Sequence, residues 1–193
     1  MQPGRVVVAA LLAIPGAAGV LGAQDTWGPS AIIGKLTFNH QTYPACPAGK
    51  YVVGLQIRSG WYVHTIELEC AQLGPAGEHQ SVESVGHIGE YGTSGGQAHQ
   101  SRCPSGKVMV GFKGRAGMWI DRIQVGCKSW KAGSGTEGTI QWLTAWGGTG
   151  GEPYGSLTCP DRMAIDHMRG DMFLNVLTLQ AGLSSYVFFC KSA

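Results

Sequence analysis

Charge is scarce in this sequence. Only 13% of its 193 residues are Asp, Glu, Lys or Arg, and the formal net charge is +2. The basic residues are scattered, so no positive stripe marks a footprint for nucleic acid. Asparagine is almost missing: Asn39 and Asn175 occur without a Ser or Thr two residues on, which excludes N-glycosylation at that motif. After residue 23 no apolar run approaches the ~18 residues of a spanning helix, so no membrane span is expected. Neither His-Glu-x-x-His nor a Walker loop occurs. Cys-x-x-Cys is absent and the six histidines are dispersed without ligand spacing, so no metal or other cofactor is expected. Glycine, by contrast, is abundant. The 31 glycines are about twice the average share, and they lose too much backbone entropy in helix interiors for a helical bundle. They keep no period of three, which excludes a collagen repeat. With 44% hydrophobic residues the chain can bury a core as one domain and is not disordered.

Residues 1–23 read as a secretory signal peptide. Arg5 supplies the positive start, Val6 to Ile14 the apolar region, and Leu21, Gly22 and Ala23 a small-residue cleavage site before Gln24. The mature chain, 24–193, is therefore expected to be secreted and extracellular. Six cysteines in such a chain favour disulfides over a metal site. Six cysteines allow about 15 pairings, and spacing alone does not choose among them.

An internal repeat does favour one. Cys46-Pro47, Cys103-Pro104 and Cys159-Pro160 open three copies, which divide the chain at about 24–78, 79–135 and 136–193. Copies one and two share Gly49/Gly106, Lys50/Lys107, Val53/Val110, Gly54/Gly111, Arg58/Arg115, Gly60/Gly117 and Ile66/Ile123. Their closing cysteines, Cys70 and Cys127, stand at equal distances from the opening ones, and Cys190 closes copy three. Within-copy pairs Cys46–Cys70, Cys103–Cys127 and Cys159–Cys190 follow from the repeat. Copy three is degenerate. Aligned with a two-residue deletion, it places Arg169 beside Arg115 and Asn175 beside Asp121.

Within each copy the period is that of strands. Ile66, Leu68 and Cys70 alternate with Thr65, Glu67 and Glu69, as Ile123, Val125 and Cys127 do with Arg122, Gln124 and Gly126. Lys50 to Ile57 and Lys107 to Phe112 are rich in β-branched residues. Arg58-Ser59-Gly60 and Arg115-Ala116-Gly117 are read as turns. Each copy thus supplies a hairpin, with further strands expected from the glycine-rich stretch ahead of it, and staples its own sheet through its cysteine pair. Three such units of ~56 residues cannot bury cores singly. The expected fold is all-β: a β-prism of three Greek-key-like sheets with pseudo-threefold symmetry. A three-bladed propeller or β-trefoil is the alternative arrangement.

Several segments carry a family likeness. The lead-ins Asp25-Thr26-Trp27-Gly28, Gly89-Glu90-Tyr91-Gly92 and Trp146-Gly147-Gly148 precede Cys-Pro openings. Ser81-Val82-Glu83-Ser84, Phe173-Leu174-Asn175 and the ending Phe189-Cys190-Lys191-Ser192 complete the pattern. In these the chain resembles the vitelline membrane outer layer protein I family over almost all of its mature length. It departs in lacking that family's acidic loop in copies one and two. The compact Arg-x-Gly turns and glycine-rich lead-ins are similar, more distantly, to jacalin-related β-prism domains. The resemblance implies a prism, and either a component of an extracellular coat or a sugar-binding module.

Candidate sites are few. Glu67 with Glu69, and Asp166 with Asp171, are the carboxylate pairs a glycosidase would need, set against solvated strand faces. The first resemblance implies transfer chemistry on N-acetylglucosamine oligosaccharides, but no matched residues carry it, so no catalytic residue is assigned. His64, Asp121 and Asn175 recur at related places where polar side chains can hold sugar hydroxyls, or can bond to their own turns. Trp61, Trp119 and Tyr62 stand beside them, as stacking platforms or as packing. Arg58, Arg115 and Arg169 can meet an anionic glycan, or tie turns to carbonyls. Gly92 to Gly96 and Gly147 to Gly151 are read as strand lead-ins. The first functional expectation is a non-enzymatic coat protein contacting extracellular glycoproteins or glycans. A lectin-like carbohydrate-binding module is the alternative, and a glycan-processing enzyme ranks third.

Overall fold

Strands account for every regular element in the computed structural model, which describes residues 26–27, 33–34, 41–42, 44–89, 95–175 and 180–192. The segment 1–23, expected from the sequence to be a signal peptide, lies outside the described residues. In chain order the strands are β1 (Thr26–Trp27), β2 (Ile33–Gly34), β3 (Gln41–Thr42), β4 (Lys50–Ser59), β5 (Val63–Leu73), β6 (His79–Gly89) and β7 (Gln97–Arg102). There follow β8 (Lys107–Ala116), β9 (Ile120–Lys131), β10 (Gly135–Gly147), β11 (Glu152–Pro153), β12 (Leu157–Thr158), β13 (Met163–Asn175) and β14 (Gln180–Ser192). No helix among the described residues is long and apolar enough to cross a membrane.

Three antiparallel sheets form. Sheet one has the order β6-β5-β4-β7, a Greek key in which β7 returns beside the first strand of a three-strand meander. Sheet two repeats it as β10-β9-β8-β11, with β12 also on β8. Sheet three is β1-β14-β13-β3, with β2 on β14, so segments from the start of the described chain flank the last hairpin. The flanking strands of sheets one and two come after their hairpins, not from the stretch ahead as the repeat suggests. Only sheet three takes its flanking strands from upstream, and it takes them from the opposite end of the chain.

The three sheets turn their apolar faces inward and form a β-prism. Leu55, Ile57, Ile66, Leu68 and Ile88 from sheet one meet Met109, Phe112, Ile123 and Val125 from sheet two and Ile165, Met168, Tyr186 and Phe188 from sheet three, in one buried cluster. Phe112 binds two sheets together, with ring centroids 5.2 Å from Tyr186 and 5.4 Å from Phe188. Strand alternation explains this face: Ile66, Leu68 and Cys70 are buried while Thr65 and Glu67 are not. Glu69 breaks the pattern. It is buried on the other face because Arg102 grips its two oxygens at 2.9 and 2.7 Å and the Gln100 amide donates at 2.7 Å.

All three disulfides join the cysteines of one copy. They do not staple single sheets, however. The Cys103 amide donates to Val53 O on β4, while its partner Cys127 lies on β9. Cys159 N–H likewise donates to Val110 O on β8 and bonds to Cys190 on β14. Cys46 N–H donates to Asp166 O on β13 and bonds to Cys70 on β5. Each bridge therefore clamps one sheet to the next, around the whole prism.

The third hairpin also differs from the expected alignment. Cys159 and Cys190 are separated by 31 residues against 24 in the other copies, so the copy is extended rather than shortened. Its extra residues lengthen β13 and β14 past the place where the other hairpins turn. In the observed register Thr65 opposes Arg58, Arg122 opposes Arg115 and Ser185 opposes Asp171. Asp171, not Arg169, thus occupies the place of the two arginines.

Candidate functional site

Asp121 is the second residue of β9, directly after the tight turn that closes the β8–β9 hairpin. That turn is fixed by the Gly117 amide donating to Trp119 O at 2.8 Å. The loop joining β10 to β11, residues 148–151, folds over the same spot, and its Gly148 amide donates to Asp121 O at 2.7 Å. The carboxylate then lies between two backbones. A Cβ on Gly150 would strike Oδ1, one on Gly151 would strike Oδ2, and one on Gly117 would stand 3.5 Å from Oδ2. Gly151 has φ +59°, so both space and backbone conformation demand glycine there.

Arg115 holds the loop in place. Its Nε donates to Gly150 O at 2.8 Å and its Nη2 to Gly151 O at 2.6 Å. Tying a neighbouring carbonyl is one of the two roles expected of this arginine. Desolvation raises the Asp121 pKa above the ordinary carboxylate value, opposed by the Gly117 amide, by the Arg115 charge and by its own amide. Oδ2 is buried and closes no hydrogen bond among the described residues. The residue as a whole is only partly buried, so the accessible edge of its carboxylate is left as an acceptor for hydroxyl donors.

Apolar groups rim the cradle. Met118 is 50% exposed in the β8–β9 turn. Trp61 is 86% exposed, and its carbonyl abuts the position where a Gly148 side chain would lie. The turn of sheet one and the loop of sheet two therefore meet at this end of the prism. Trp119 does something else. It stacks on Tyr62, centroids 4.5 Å apart at 19°, and both rings cover Gly182 of β14. Tyr62, Trp119 and Gly182 each stand eight residues before their closing cysteine, so this contact gathers one equivalent residue from every sheet. Of the two tryptophans proposed from sequence, Trp61 is at the surface and Trp119 is in the packing.

Sheet one builds a second version of the cradle. His64 lies beside Gly60 and Gly95, with a Gly95 Cβ position 2.6 Å from the ring, and Arg58 Nη2 donates to Gly96 O at 3.3 Å. His64 also contacts Tyr62, centroids 4.3 Å apart. In sheet three the corresponding residue, six before the closing cysteine, is Ser184. It is buried, and its hydroxyl donates to Asp171 O at 3.0 Å. Asn175 is placed elsewhere: it ends β13 opposite Gln180, before the turn rather than after it, and its side chain lies outside the described residues. The structure thus brings His64 and Asp121 to equivalent places and separates Asn175 from them. The sequence did not reveal that Gly95 and Gly96 after β6, and Gly150 and Gly151 after β10, are the other walls of these cradles. Their pairing with Gly60 and Gly117, one hairpin away, was the available signal.

Three of the four paired carboxylates, Glu69, Asp166 and Asp171, have other partners. Glu69 is enclosed by Arg102 and Gln100. Asp166 is held below the ordinary carboxylate range by the His167 hydrogen bond, against desolvation, and then by Lys191. Asp171 is buried and accepts from the Ser185 hydroxyl at 3.1 Å. Gly92-Thr93-Ser94-Gly95-Gly96 spells Gly-x-Ser-x-Gly, but strand β7 follows at Gln97 where a nucleophile elbow would lead into a helix. No group of three or more potential metal ligands occurs among the described residues.

No protein-family model and no curated protein sequence matches the chain. Solved structures do match in fold. Single-chain recombinant jacalin is similar at 10% identity and TM-score 0.57, covering 90% of this chain and 98% of its own. A mannose-binding jacalin-related lectin from Ananas comosus is similar at 12% and TM-score 0.52, covering 85% of this chain and 99% of its own. Calsepa lectin, in complex with a biantennary N-glycan, is similar at 12% and TM-score 0.54, covering 88% of this chain and 97% of its own. The solved structures to which this chain is similar are jacalin-related lectins, and the fold it shares with them is the β-prism.

Proposed function

We propose that this protein is a lectin-like carbohydrate-binding module whose principal site is the Asp121 cradle. The observation that carries the reading is a partly buried carboxylate walled by Gly117, Gly150 and Gly151, beside the exposed Trp61 and Met118. Neighbouring sugar hydroxyls can donate to its accessible edge, and hydrogen bonds to an ionised group are the stronger kind. Glycines allow a ring to come close to backbone, and Met118 and Trp61 offer apolar surface for its C–H face. The role is binding rather than turnover: Glu69 is taken up by Arg102, Asp166 by Lys191 and His167, and Asp171 by Ser185. The lectin reading agrees with neighbours described as mannose-binding and as glycan-bound.

Ligands are neutral hexose units of extracellular glycans. The disulfides, the lectin-like fold and the leading segment 1–23 favour a secreted, extracellular protein. A coat-component role of the vitelline type rests on the repeat motifs alone; this site would be the means by which such a component holds glycoproteins. The test is a glycan array followed by calorimetry. Asp121→Asn should lower affinity for the best glycan at least ~100-fold, equivalent to about 2.7 kcal/mol. Binding that survives the substitution would refute the site.

A further inference from the structure

All six cysteines are held in disulfides, so no free thiol competes for an oxidant. The thioethers are then the sulfur groups left to oxidise. The described residues include Met109, Met118, Met163, Met168 and Met172. Met109 and Met168 are fully buried in the central cluster, Met163 packs against it, and Met172 is partly buried. Of these methionines Met118 alone is exposed, at 50%. Susceptibility follows access to the sulfur, so one position should react well before the rest.

The place of Met118 gives that reaction a consequence. It sits at the crest of the β8–β9 turn, which the Gly117 amide closes by donating to Trp119 O at 2.8 Å. One Cα step, about 3.8 Å, separates it from Gly117, whose Cβ position stands 3.5 Å from Asp121 Oδ2. A sugar held by that carboxylate therefore lies within reach of the Met118 side chain. Met118 belongs to neither buried cluster, so its side chain is no part of the packing that holds the fold. Trp61 has the same place in the turn of sheet one, each standing nine residues before its closing cysteine, and it carries no sulfur. Sensitivity to oxidation through this position is thus confined to the cradle of sheet two.

We propose that Met118 is a site of selective oxidation by hydrogen peroxide, and that its oxidation weakens sugar binding at the Asp121 cradle. The second half rests on the carbohydrate-binding reading. The sulfur lone pair attacks one peroxide oxygen, and an S–O bond forms as the O–O bond breaks. The transferred oxygen loses its proton to the departing hydroxide, which leaves as water. Sulfur is oxidised by two electrons and the peroxide is reduced by two. The product is a polar sulfoxide where a flexible apolar thioether met the C–H face of the sugar.

The test treats the protein with increasing hydrogen peroxide and divides each sample between peptide mass mapping, thermal melting and calorimetry with a mannose-containing glycan. One added oxygen on the Met118 peptide is expected at doses that leave Met109, Met163, Met168 and Met172 unmodified. At that dose the melting temperature should be unchanged and the affinity roughly fivefold lower, as for the loss of one small apolar contact. Met118→Leu, compared with itself before and after peroxide, should show no loss. Earlier oxidation of another of these methionines, or unchanged affinity with Met118 fully oxidised, would overturn the proposal. So would an equal peroxide-induced loss in Met118→Leu. Should the untreated protein bind no glycan, the cradle reading falls and the effect on binding falls with it, while the mapping still decides the oxidation site.

Discussion

Asp121 and Asp166 are both carboxylates on hairpin strands, yet their surroundings push them in opposite directions. Asp121 has its pKa raised by desolvation. An acid whose folded pKa exceeds its unfolded one is harder to ionise in the native state, so above the unfolded pKa its charge opposes folding. Asp121→Asn should therefore abolish sugar binding while leaving the melting temperature unchanged or higher, readable in one calorimetric series. In the parent, sugar affinity should fall as pH drops through this raised pKa, beginning at higher pH than an ordinary Asp would give. Asp166 has the reverse shift, from the His167 hydrogen bond first and then Lys191. Its contribution to stability is present above the unfolded value, about 4, and is lost as pH falls through the lower folded pKa. Urea midpoints should show Asp166→Asn less stable than the parent at pH 6, with the gap narrowing as pH falls through the lowered pKa. A constant gap would mean that the carboxylate is not acting through its charge.

At the level of elements, Gly182 is where three hairpins converge. A Cβ there would stand 2.6 Å from Tyr62 Cε2 and 3.3 Å from Trp119 Cδ1. Gly182→Val should cost about 1–3 kcal/mol through overpacking, seen as a lower midpoint in denaturant with an unchanged slope. The strands themselves were legible because one face of each hairpin is buried, and period two survives in Ile66-Leu68-Cys70 and Ile123-Val125-Cys127. Where polar partners rescue the opposite face the pattern fails, as at Glu69 beneath Arg102. Copy three was misaligned because its extension lies at the hairpin tip, far from the cysteines that anchor the comparison. The cradle was half legible: Asp121 and His64 stand out within their repeats. Which glycine loop covers them depends on strands adjacent in space, and a linear period does not report that.

Across the whole molecule, the disulfides form a closed circuit of sheets: three to one, one to two, two to three. The pairing could be read from the repeat; the clamping between sheets could not, because each opening cysteine is hydrogen-bonded to the preceding sheet. Replacing Cys103 and Cys127 by Ala should cost roughly 3 kcal/mol in the chain-entropy model and loosen one edge of the prism. Hydrogen exchange should then quicken at β7 and β8 before β13 and β14; uniform acceleration would mean that the bridge acts only on the unfolded chain.

The most direct test of the central claim is calorimetric titration of the segment Gln24 to Ala193 with a mannose-containing glycan, beside its Asp121→Asn variant. Saturable binding by the parent, and at least ~100-fold weaker binding by an equally stable variant, is the predicted result. Equal affinity in the two proteins would contradict the assignment of sugar recognition to the Asp121 cradle.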